Sequence, residues 1–322
     1  MKKKLKIVGA LVLLLMVFIF LNNTSLFVKT GNPTLLAHRG MAQTFPMEGI
    51  EWDTCTAEII NEPEHSYLEN TIPSMEAAFA AGADVVEFDI KRTKDNQLAV
   101  FHDFELSCRT DGKGSVSDYT MEELKQLDVG YGYTADGGKT FPFRGKGLGL
   151  MPSLTEVLTQ FPERSFLIHI KSSEQEDGEL LAQYLKDLAP EQRKLITVYG
   201  DDVPMAALKK QIPEIPVMSM ATLKRCMLPY IAVGWTGYIP NACENTQLHL
   251  PERYARWMWG WPNKFVERME SVGTNVAIVA GDGAWSEGFD TLEDLERLPS
   301  DFGGQIWTNR IELIAPKIKN GK

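Results

Sequence analysis

Short runs of apolar and β-branched residues alternate with longer, helix-like stretches from residue 31 onwards. This alternation is typical of repeated βα units, which build a parallel sheet. The segments that fit a buried strand are 34–37, 85–90, 98–101, 166–170, 195–199, 217–220, 237–239, 276–280 and 305–308. A (β/α)8 barrel has eight strands, so one segment is surplus, and 237–239 has the weakest pattern. The sequence therefore predicts an α/β fold of the TIM-barrel type.

Capping signals mark where helices begin between these segments. Thr120 with Glu123, and Ser153 with Glu156, have the spacing of capping boxes. No internal repeat, low-complexity tract or linker rich in Pro and Ser divides the chain. We therefore expect one domain over residues 31–322.

The amino-terminal region has a different pattern. Lys2, Lys3, Lys4 and Lys6 precede an apolar run over 7–21, and more apolar residues follow at 26–28. A helix continued to residue 28 reaches about 33 Å, enough for a hydrocarbon core of roughly 30 Å. No convincing small-x-small cleavage site stands near residues 22–30, which favours an uncleaved signal-anchor over a removed signal peptide.

The lysines ahead of this run predict which side of the membrane the domain occupies. Positive charge before a span keeps the amino terminus in the cytoplasm. We expect residues 1–30 to form a basic cytoplasmic start and a single transmembrane helix of the cell membrane. The domain that follows is then extracytoplasmic, either periplasmic or extracellular.

Composition excludes one class of partner. Without the four amino-terminal lysines, 29 basic residues face 43 acidic ones, a formal balance of −14. Such a surface repels polyanions, so no nucleic-acid partner is expected. Four cysteines are too few for a disulfide-built scaffold, but Cys226 and Cys243 could pair outside the cytoplasm. Four free thiols is the alternative.

Candidate chemistry lies where predicted strands run into loops. His38, His102 and His169 stand at three such positions, and Glu87 and Asp89 at a fourth. Side chains at the carboxyl ends of barrel strands converge on one face. Two carboxylates separated by one residue leave a strand on the same side and can hold one divalent cation. Two imidazoles can act as general acid and base.

Two cations complete the pattern. Arg39 offers a planar fork of donors for a phosphate, and Lys171 adds a second positive charge two residues after His169. Carboxylates for a metal, two imidazoles and two cations suit phosphoester cleavage. The chain contains no G-x-S-x-G, P-loop, H-E-x-x-H or paired C-x-x-C motif.

The ordered motifs of the chain closely resemble those of the glycerophosphodiester phosphodiesterase family. The resemblance spans nearly all of the region after residue 30. It is carried by His38-Arg39-Gly40, Glu69-Asn70-Thr71, Glu87-Phe88-Asp89, Thr93-Lys94-Asp95, His102-Asp103, the segment 109–114, the segment 152–156 and the closing segment 305–309.

The resemblance implies a TIM barrel in which His38 and His102 are the general acid and base. It implies a divalent ion, Mg²⁺ or Ca²⁺, on Glu87 and Asp89, phosphate binding by Arg39, and a supporting role for Glu69. Members of the family cleave glycerophosphodiesters to sn-glycerol 3-phosphate and an alcohol. The glycerol 2-hydroxyl would attack phosphorus to give a cyclic intermediate that water opens.

The chain departs from the family pattern at two places. The fourth strand of the family normally ends in Glu-Ile-Lys, with the glutamate as third metal ligand, whereas this chain has His169-Ile170-Lys171. An imidazole ligand favours Mn²⁺ or Zn²⁺ more than a carboxylate does, so the sequence does not decide between these ions and Mg²⁺ or Ca²⁺. The stretch between His38 and Glu69 is also long, which predicts a lid or a specificity element.

Other functions remain open at this stage. A lysophospholipase D or sphingomyelinase D activity, in which the substrate keeps an acyl chain, agrees with the anchor and with loops rich in aromatic residues. A noncatalytic envelope protein that binds lipid head groups is a second alternative, prompted by His169. An amide-cleaving barrel metallohydrolase agrees less well, because the first strand lacks an H-x-H motif.

Overall fold

The computed structural model describes residues 2–28, 31–51, 53–283 and 287–320. Residues 1, 29 and 30 of the predicted anchor segment lie outside the described residues, as do residues 52, 284–286, 321 and 322 of the predicted domain.

Helices and strands alternate along most of the chain. The strands are β1 (Thr34–Ala37), β2 (Val85–Arg92), β3 (Leu98–Val100), β4 (Ser165–Ile170), β5 (Ile196–Gly200), β6 (Val217–Met218), β7 (Gln247–Pro251), β8 (Asn275–Val279) and β9 (Gln305–Thr308). The α-helices are α1 (Lys2–Asn23), α2 (Ile72–Ala81), α3 (Met121–Leu124), α4 (Leu154–Gln160), α5 (Gln175–Lys186), α6 (Pro190–Arg193), α7 (Asp202–Gln211), α8 (Met220–Val233), α9 (Glu252–Ala255), α10 (Asn263–Glu270), α11 (Leu292–Glu296) and α12 (Ile311–Asn320). Short 3₁₀ turns are Thr56–Ile59, Leu106–Cys108, Val116–Asp118, Gly234–Thr236 and Asn241–Cys243.

Eight parallel strands form a nearly closed barrel. Their order is β6-β5-β4-β2-β1-β9-β8-β7, and β3 pairs with β2 outside this path. A single parallel bridge between Val217 and Thr246 brings the two ends of the sheet together. The predicted TIM-barrel class is confirmed.

One predicted strand is wrong and one strand was missed. Segment 237–239 is not a strand: it follows the 3₁₀ turn Gly234–Thr236, and Gly237 has a φ of +87° that breaks an extended backbone. The sixth barrel strand along the chain is β7, which none of the predicted segments covers. Its sequence, Gln-Leu-His-Leu-Pro, carries little of the β-branched signal of the other strands.

The predicted strand at 98–101 exists, but it is not a barrel strand. β3 is antiparallel to β2, with Val100 opposite Ile90 and Leu98 opposite Arg92. The chain therefore turns back above the barrel, and the Phe101 amide donates to the Asp89 carbonyl at 3.0 Å. This hairpin, rather than the end of a barrel strand, brings residue 102 to the site.

Alternation along the strands decides which side chains face the barrel interior. On β2, Val86, Phe88 and Ile90 belong to the main core cluster between sheet and helices. Glu87 and Asp89 therefore point inward, because neighbouring residues on a strand face opposite sides. The same alternation on β4 packs Ile168 and Ile170 outward and turns His169 inward.

A second hydrophobic cluster covers the carboxyl end of the barrel next to β2. It joins the loop that follows β1 to the insertion between β3 and α4, and includes Leu68, Phe101, Leu106 and Tyr133. A disulfide between Cys55 and Cys108 links the two segments. A second disulfide joins Cys226 to Cys243, so the pairing that the sequence left open is present.

Helix α1 stands apart from the barrel core. It is 22 residues long, strongly apolar, and none of its apolar window is buried by the rest of the protein. By length and composition it is a candidate membrane span, and a signal sequence would have the same character.

Candidate active site

The site begins at the turn that follows β1. Arg39 has a φ of +58°, which is unusual for a residue with a side chain, and Gly40 follows at +77°. A side chain at position 40 would contact the Ser74 hydroxyl at 2.6 Å, so only glycine fits there. The Arg39 amide donates to Glu87 Oε2 at 3.1 Å, which fixes the turn over the barrel interior.

The sheet register brings three side chains into one layer. Asp89 is opposite His169, and His169 is opposite Tyr199 on the next strand. The Asp89 carboxylate contacts His169 Nδ1 at 2.9 Å. The imidazole stacks on the Tyr199 ring with centroids 4.0 Å apart, and the Tyr199 hydroxyl donates to Glu87 Oε1 at 2.7 Å.

Glu87, Asp89 and His169 form a candidate metal site. Each offers one ligand atom, and these atoms lie within 4.8 Å of one another. Burial, followed by the neighbouring Asp89 carboxylate, raises the pKa of Glu87 to about 8. Two buried carboxylates with an imidazole form a donor set that suits a divalent cation, because its charge would relieve their repulsion.

His38 is held by a chain of polar contacts from β9. Asn309 Oδ1 accepts from His38 Nδ1 at 2.6 Å, and the Asn309 amide nitrogen in turn donates to Asp290 at 2.8 Å. His38 Nε2 is then an acceptor, and Arg39 Nε donates to it at 3.2 Å. Burial, and then the Arg39 charge, hold the pKa of His38 well below its usual range.

His102 is held by a different group. Its Nδ1 contacts Asp103 Oδ1 at 2.8 Å, and Asp103 Oδ2 pairs with Arg109 Nε at 2.6 Å, an ion pair that is not aligned as a hydrogen bond. Burial and the Arg39 charge lower the pKa of His102, while the Asp103 contact acts in the opposite direction.

A buried ion network connects the two histidines. Glu69 accepts from Arg39 Nη1 at 2.9 Å and pairs with Arg109 Nη1 at 3.2 Å. Burial disfavours the charged Arg39, but Glu69 and Asp89 outweigh that effect and raise its pKa. Nη2 of Arg39 makes no hydrogen bond within the described part of the chain, so two N–H donors remain for a ligand.

Two lysines lie on the same side of the site. Lys171 Nζ is 3.9 Å from Asp89 Oδ1. Lys91 Nζ lies 4.4 Å from the centre of the Phe104 ring, and Lys171 Nζ lies 6.0 Å from it. Burial, and then the charge of Lys171, lower the pKa of Lys91 to about 8.

A cleft of about 230 Å³ opens beside His38 and Arg39. The long loop after β1 lines one side through Gln43, Phe45 and Met47, and Asn309 lines the other. The loop that the sequence singled out as a lid or specificity element is therefore next to the site.

All the residues that the sequence proposed for the site lie together at the carboxyl end of the barrel. His38, Glu69, Glu87, Asp89 and His169 are linked through direct contacts to Arg39 or to one another. His102 and Lys171 complete the group.

Sequence reasoning missed three supporting residues: Tyr199, Asn309 and Arg109. Tyr199 gave no signal of its own, since it closes an apolar strand like many tyrosines. Asn309 and Arg109 stand in segments that carry the family resemblance, so their positions, though not their contacts, could have been found.

Comparison with known proteins agrees with this geometry. The family model described as "Glycerophosphoryl diester phosphodiesterase family" matches residues 38–214. A glycerophosphodiester phosphodiesterase from Bacillus altitudinis is 33% identical over 184 residues, which cover 55% of this chain and 71% of that relative. A lysophospholipase D from Rattus norvegicus is 31% identical over 185 residues, covering 54% of this chain and 53% of that protein.

Solved structures show the same fold. The crystal structure of a glycerophosphodiester phosphodiesterase from Agrobacterium tumefaciens superposes with a TM-score of 0.60 at 18% identity, covering 90% of this chain and all of that one. The family model covers more than half of the chain, including the segments that carry Arg39, Glu87, Asp89 and His102. The chain belongs to the glycerophosphoryl diester phosphodiesterase family.

Proposed function

We propose that this protein is a metal-dependent phosphodiesterase that hydrolyses glycerophosphodiesters to sn-glycerol 3-phosphate and an alcohol. The observation that carries the proposal is the convergence of the Glu87, Asp89 and His169 ligand atoms within 4.8 Å of one another. His38 Nε2 lies 3.7 Å from Glu87 at the edge of that group. Family membership supplies the substrate class.

Glu87, Asp89 and His169 would hold one divalent ion. When bound, the ion would supply positive charge that stabilises the negative charge developing on phosphate oxygens. Mg²⁺ or Ca²⁺ agrees with the family and with two carboxylates, while the imidazole of His169 makes Mn²⁺ or Zn²⁺ acceptable. In this proposal His169 takes the place of the glutamate ligand that the family normally has at the end of this strand.

His38 and His102 would move the protons. Asn309 and Asp103 each accept from a histidine Nδ1, which leaves Nε2 of both rings as the proton acceptor. One ring removes the proton from the attacking glycerol 2-hydroxyl, and the other returns a proton to the leaving alcohol oxygen. Both rings have a lowered pKa in the free protein, so the ring that acts as base is neutral when the reaction begins. The ring that acts as acid takes up a proton from solvent at Nε2 when the anionic phosphodiester binds beside it, and this is the proton that passes to the leaving oxygen.

Arg39 and Lys171 would bind the phosphate. The Nη2 donors of Arg39 are unused among the described residues, while Glu69 and Asp89 hold the rest of its guanidinium in place. A preorganised cation gains most in the transition state, because no reorganisation is needed as charge builds up. Glu69 is a supporting residue in this account, since it orients both Arg39 and Arg109.

Helix α1 would anchor the protein to the cell membrane, with the domain of residues 31–322 on the extracytoplasmic side. Four lysines precede the apolar run, as expected for a cytoplasmic amino terminus. Two disulfides agree with an oxidising compartment outside the cytoplasm.

A lysophospholipase D activity is the second candidate. It is favoured by the 31% identity to a relative that bears that name and by the apolar α1. The two activities share the phosphorus chemistry and differ only in whether the glycerol carries an acyl chain.

A release assay on the full chain in detergent tests these alternatives. The substrates are glycerophosphocholine, glycerophosphoethanolamine, glycerophosphoglycerol and lysophosphatidylcholine, each with Mg²⁺, Ca²⁺, Mn²⁺ or EDTA. We expect release of glycerol phosphate from the deacylated substrates and no release in EDTA. Preference for lysophosphatidylcholine would favour the second candidate. Binding of glycerophosphocholine without release under any ion would indicate a noncatalytic head-group-binding protein.

A further inference from the structure

The end of α1 is built into the barrel domain through a buried arginine. Arg268 is 5% exposed, and no acidic side chain among the described residues pairs with it. Its Nη2 donates to the Asn22 carbonyl at 2.7 Å and its Nη1 to Asn23 Oδ1 at 3.1 Å. Burying a guanidinium costs free energy unless its N–H groups have acceptors. The last turn of α1 therefore supplies acceptors that Arg268 of the barrel domain needs.

Further hydrogen bonds hold the same segment. The side chains of Asn22 and Asn23 both donate to the Trp235 carbonyl, at 3.0 and 2.8 Å. The Ser25 hydroxyl accepts from the amides of Asn263 and Lys264, at 3.0 and 3.1 Å. The helix therefore leaves the domain at a fixed point rather than from a loose tether.

This exit point lies at the amino end of the barrel. α10, which carries Arg268, leads directly into β8. Asn263 bonds to Asp301 and Gly303, which precede β9, and the neighbouring Gly304 carbonyl accepts from Thr34, the first residue of β1. The catalytic candidates lie at the opposite, carboxyl end, and a five-residue strand separates the two faces by about 17 Å.

Exposed apolar side chains surround the exit point. α8 presents two in its last two turns, and the Ile231 carbonyl accepts from the Trp259 indole at 2.8 Å. Tyr238 follows Gly237, where an added Cβ would lie 2.9 Å from Asn22. We name this surface the exit patch; its members are Leu26, Phe27, Leu228, Ile231 and Tyr238, each at least 46% exposed.

We infer that the exit patch rests in the interfacial layer of the membrane that α1 enters, so that the active site opens away from the bilayer. Tyrosine and aliphatic side chains next to a membrane span are favoured at the boundary between headgroups and hydrocarbon. The occupant is the lipid surface itself, because the patch is continuous with the end of the span. The inference rests on the proposed membrane anchor and deepens the proposed function.

This orientation has a consequence for the substrate. A site on the far side of the barrel meets molecules in the aqueous phase, whereas a lysolipid in the same bilayer would have to leave it to reach Arg39. The enzyme is thereby directed toward deacylated, water-soluble glycerophosphodiesters.

Photocrosslinking in liposomes tests the orientation. The full chain is reconstituted in phosphatidylcholine and phosphatidylglycerol vesicles with p-benzoylphenylalanine at position 228, 238 or 148. Leu228 and Leu148 are matched leucines, 64% and 62% exposed, but Leu148 belongs to the insertion at the carboxyl end of the barrel. We expect about tenfold more lipid adduct at 228 and 238 than at 148, because only the exit patch reaches the interface.

Adducts at 148 as frequent as at 228, or none at both 228 and 238, would overturn the inference. The same vesicles receive soluble glycerophosphocholine, or lysophosphatidylcholine incorporated in the bilayer. Hydrolysis of lysophosphatidylcholine that is faster in the bilayer than in detergent solution would also contradict the orientation. Failure of the proposed function looks different: neither substrate would be hydrolysed, whatever the crosslinking pattern.

Discussion

Glu87 and Asp89 are separated by one residue and both face the barrel interior, yet their pKa values shift in opposite directions. Burial, and then the Asp89 charge, raise the pKa of Glu87. Burial acts in the same direction on Asp89, but His102 and Arg39 outweigh it and hold the pKa of that carboxyl well below its usual range. These directions favour a charged Asp89 carboxylate next to a protonated Glu87 carboxyl group at neutral pH.

His169 is the residue that distinguishes this site from the family pattern, and its role is testable. We expect His169→Ala to lower both divalent-ion affinity and turnover by about 100-fold or more, because loss of an outer-shell partner of a ligand alone costs about 10- to 100-fold. His169→Glu should keep activity and shift the preference toward Mg²⁺ or Ca²⁺. Isothermal titration with each ion, together with release assays, gives both quantities. Unchanged affinity and turnover in His169→Ala would mean that the imidazole is only structural.

The Asp103 contact on His102 predicts a pH effect with a definite sign. For this prediction we assign His102 as the base. It acts when neutral and its pKa is lowered, so kcat/KM should fall as the pH drops through a value below 6.5. Asp103 raises that pKa, so Asp103→Asn should move the acid limb to still lower pH and reduce the plateau about 10- to 100-fold. Asp95→Asn, at an exposed carboxylate in the β2–β3 turn, is the control. A limb that moves to higher pH in Asp103→Asn would contradict the assignment.

Asp103 also contributes to stability. Burial disfavours its charge, but Arg109 and His102 outweigh burial and lower its pKa. The ion pair therefore stabilises the fold above the ordinary aspartate pKa of about 3.9, and that contribution is lost as the pH falls below it. We expect Asp103→Asn to cost about 3–5 kcal/mol at pH 7, as breaking a buried pair does. The difference from wild type in urea unfolding should shrink at pH 3, and a constant difference would count against the pair.

At the scale of elements, the strand pattern was readable wherever strands are apolar and fully buried. β1, β2, β4, β5, β6, β8 and β9 all fall on predicted segments. β7 was missed because a short strand with Gln, His and Pro has no strong periodicity, and tertiary pairing with β8 decides its conformation. The direction of β3 could not be read either, since an apolar run is the same whether its neighbour is parallel or antiparallel.

The site residues were more predictable than the residues that hold them in place. Residue type and strand-end position were enough to select His38, Glu87, Asp89 and His102 from the sequence. The contact between Tyr199 and Glu87 joins residues 112 positions apart, and it depends on the register of β2, β4 and β5. No local signal encodes such a register.

The two disulfides offer a test at the scale of elements. Cys55–Cys108 closes a sequence separation of 53 and Cys226–Cys243 one of 17. In the chain-entropy description, removing them should cost about 4 and about 3 kcal/mol respectively. Only the Cys55→Ser/Cys108→Ser variant should also raise KM, because it frees the loop that lines the cleft. Chemical unfolding and steady-state kinetics of the two double variants check this, and a KM change confined to Cys226→Ser/Cys243→Ser would contradict it.

For the whole molecule, the barrel has two ends with different proposed tasks. The carboxyl end gathers the candidate metal site, both histidines and the cleft, while the amino end holds the exit of α1. Separation of chemistry from attachment lets loops near the cleft vary without affecting the anchor.

The metal dependence of catalysis by the whole enzyme tests the central claim most directly. The measurement is the rate of sn-glycerol 3-phosphate release from glycerophosphocholine by the full chain, titrated with a divalent ion after EDTA treatment, for wild type and Glu87→Gln. We predict saturable activation of wild type and a loss of about 10²-fold or more in Glu87→Gln, since Gln keeps the shape but removes the charge that binds the ion. Equal rates in EDTA and in metal, or full activity of Glu87→Gln, would contradict the account.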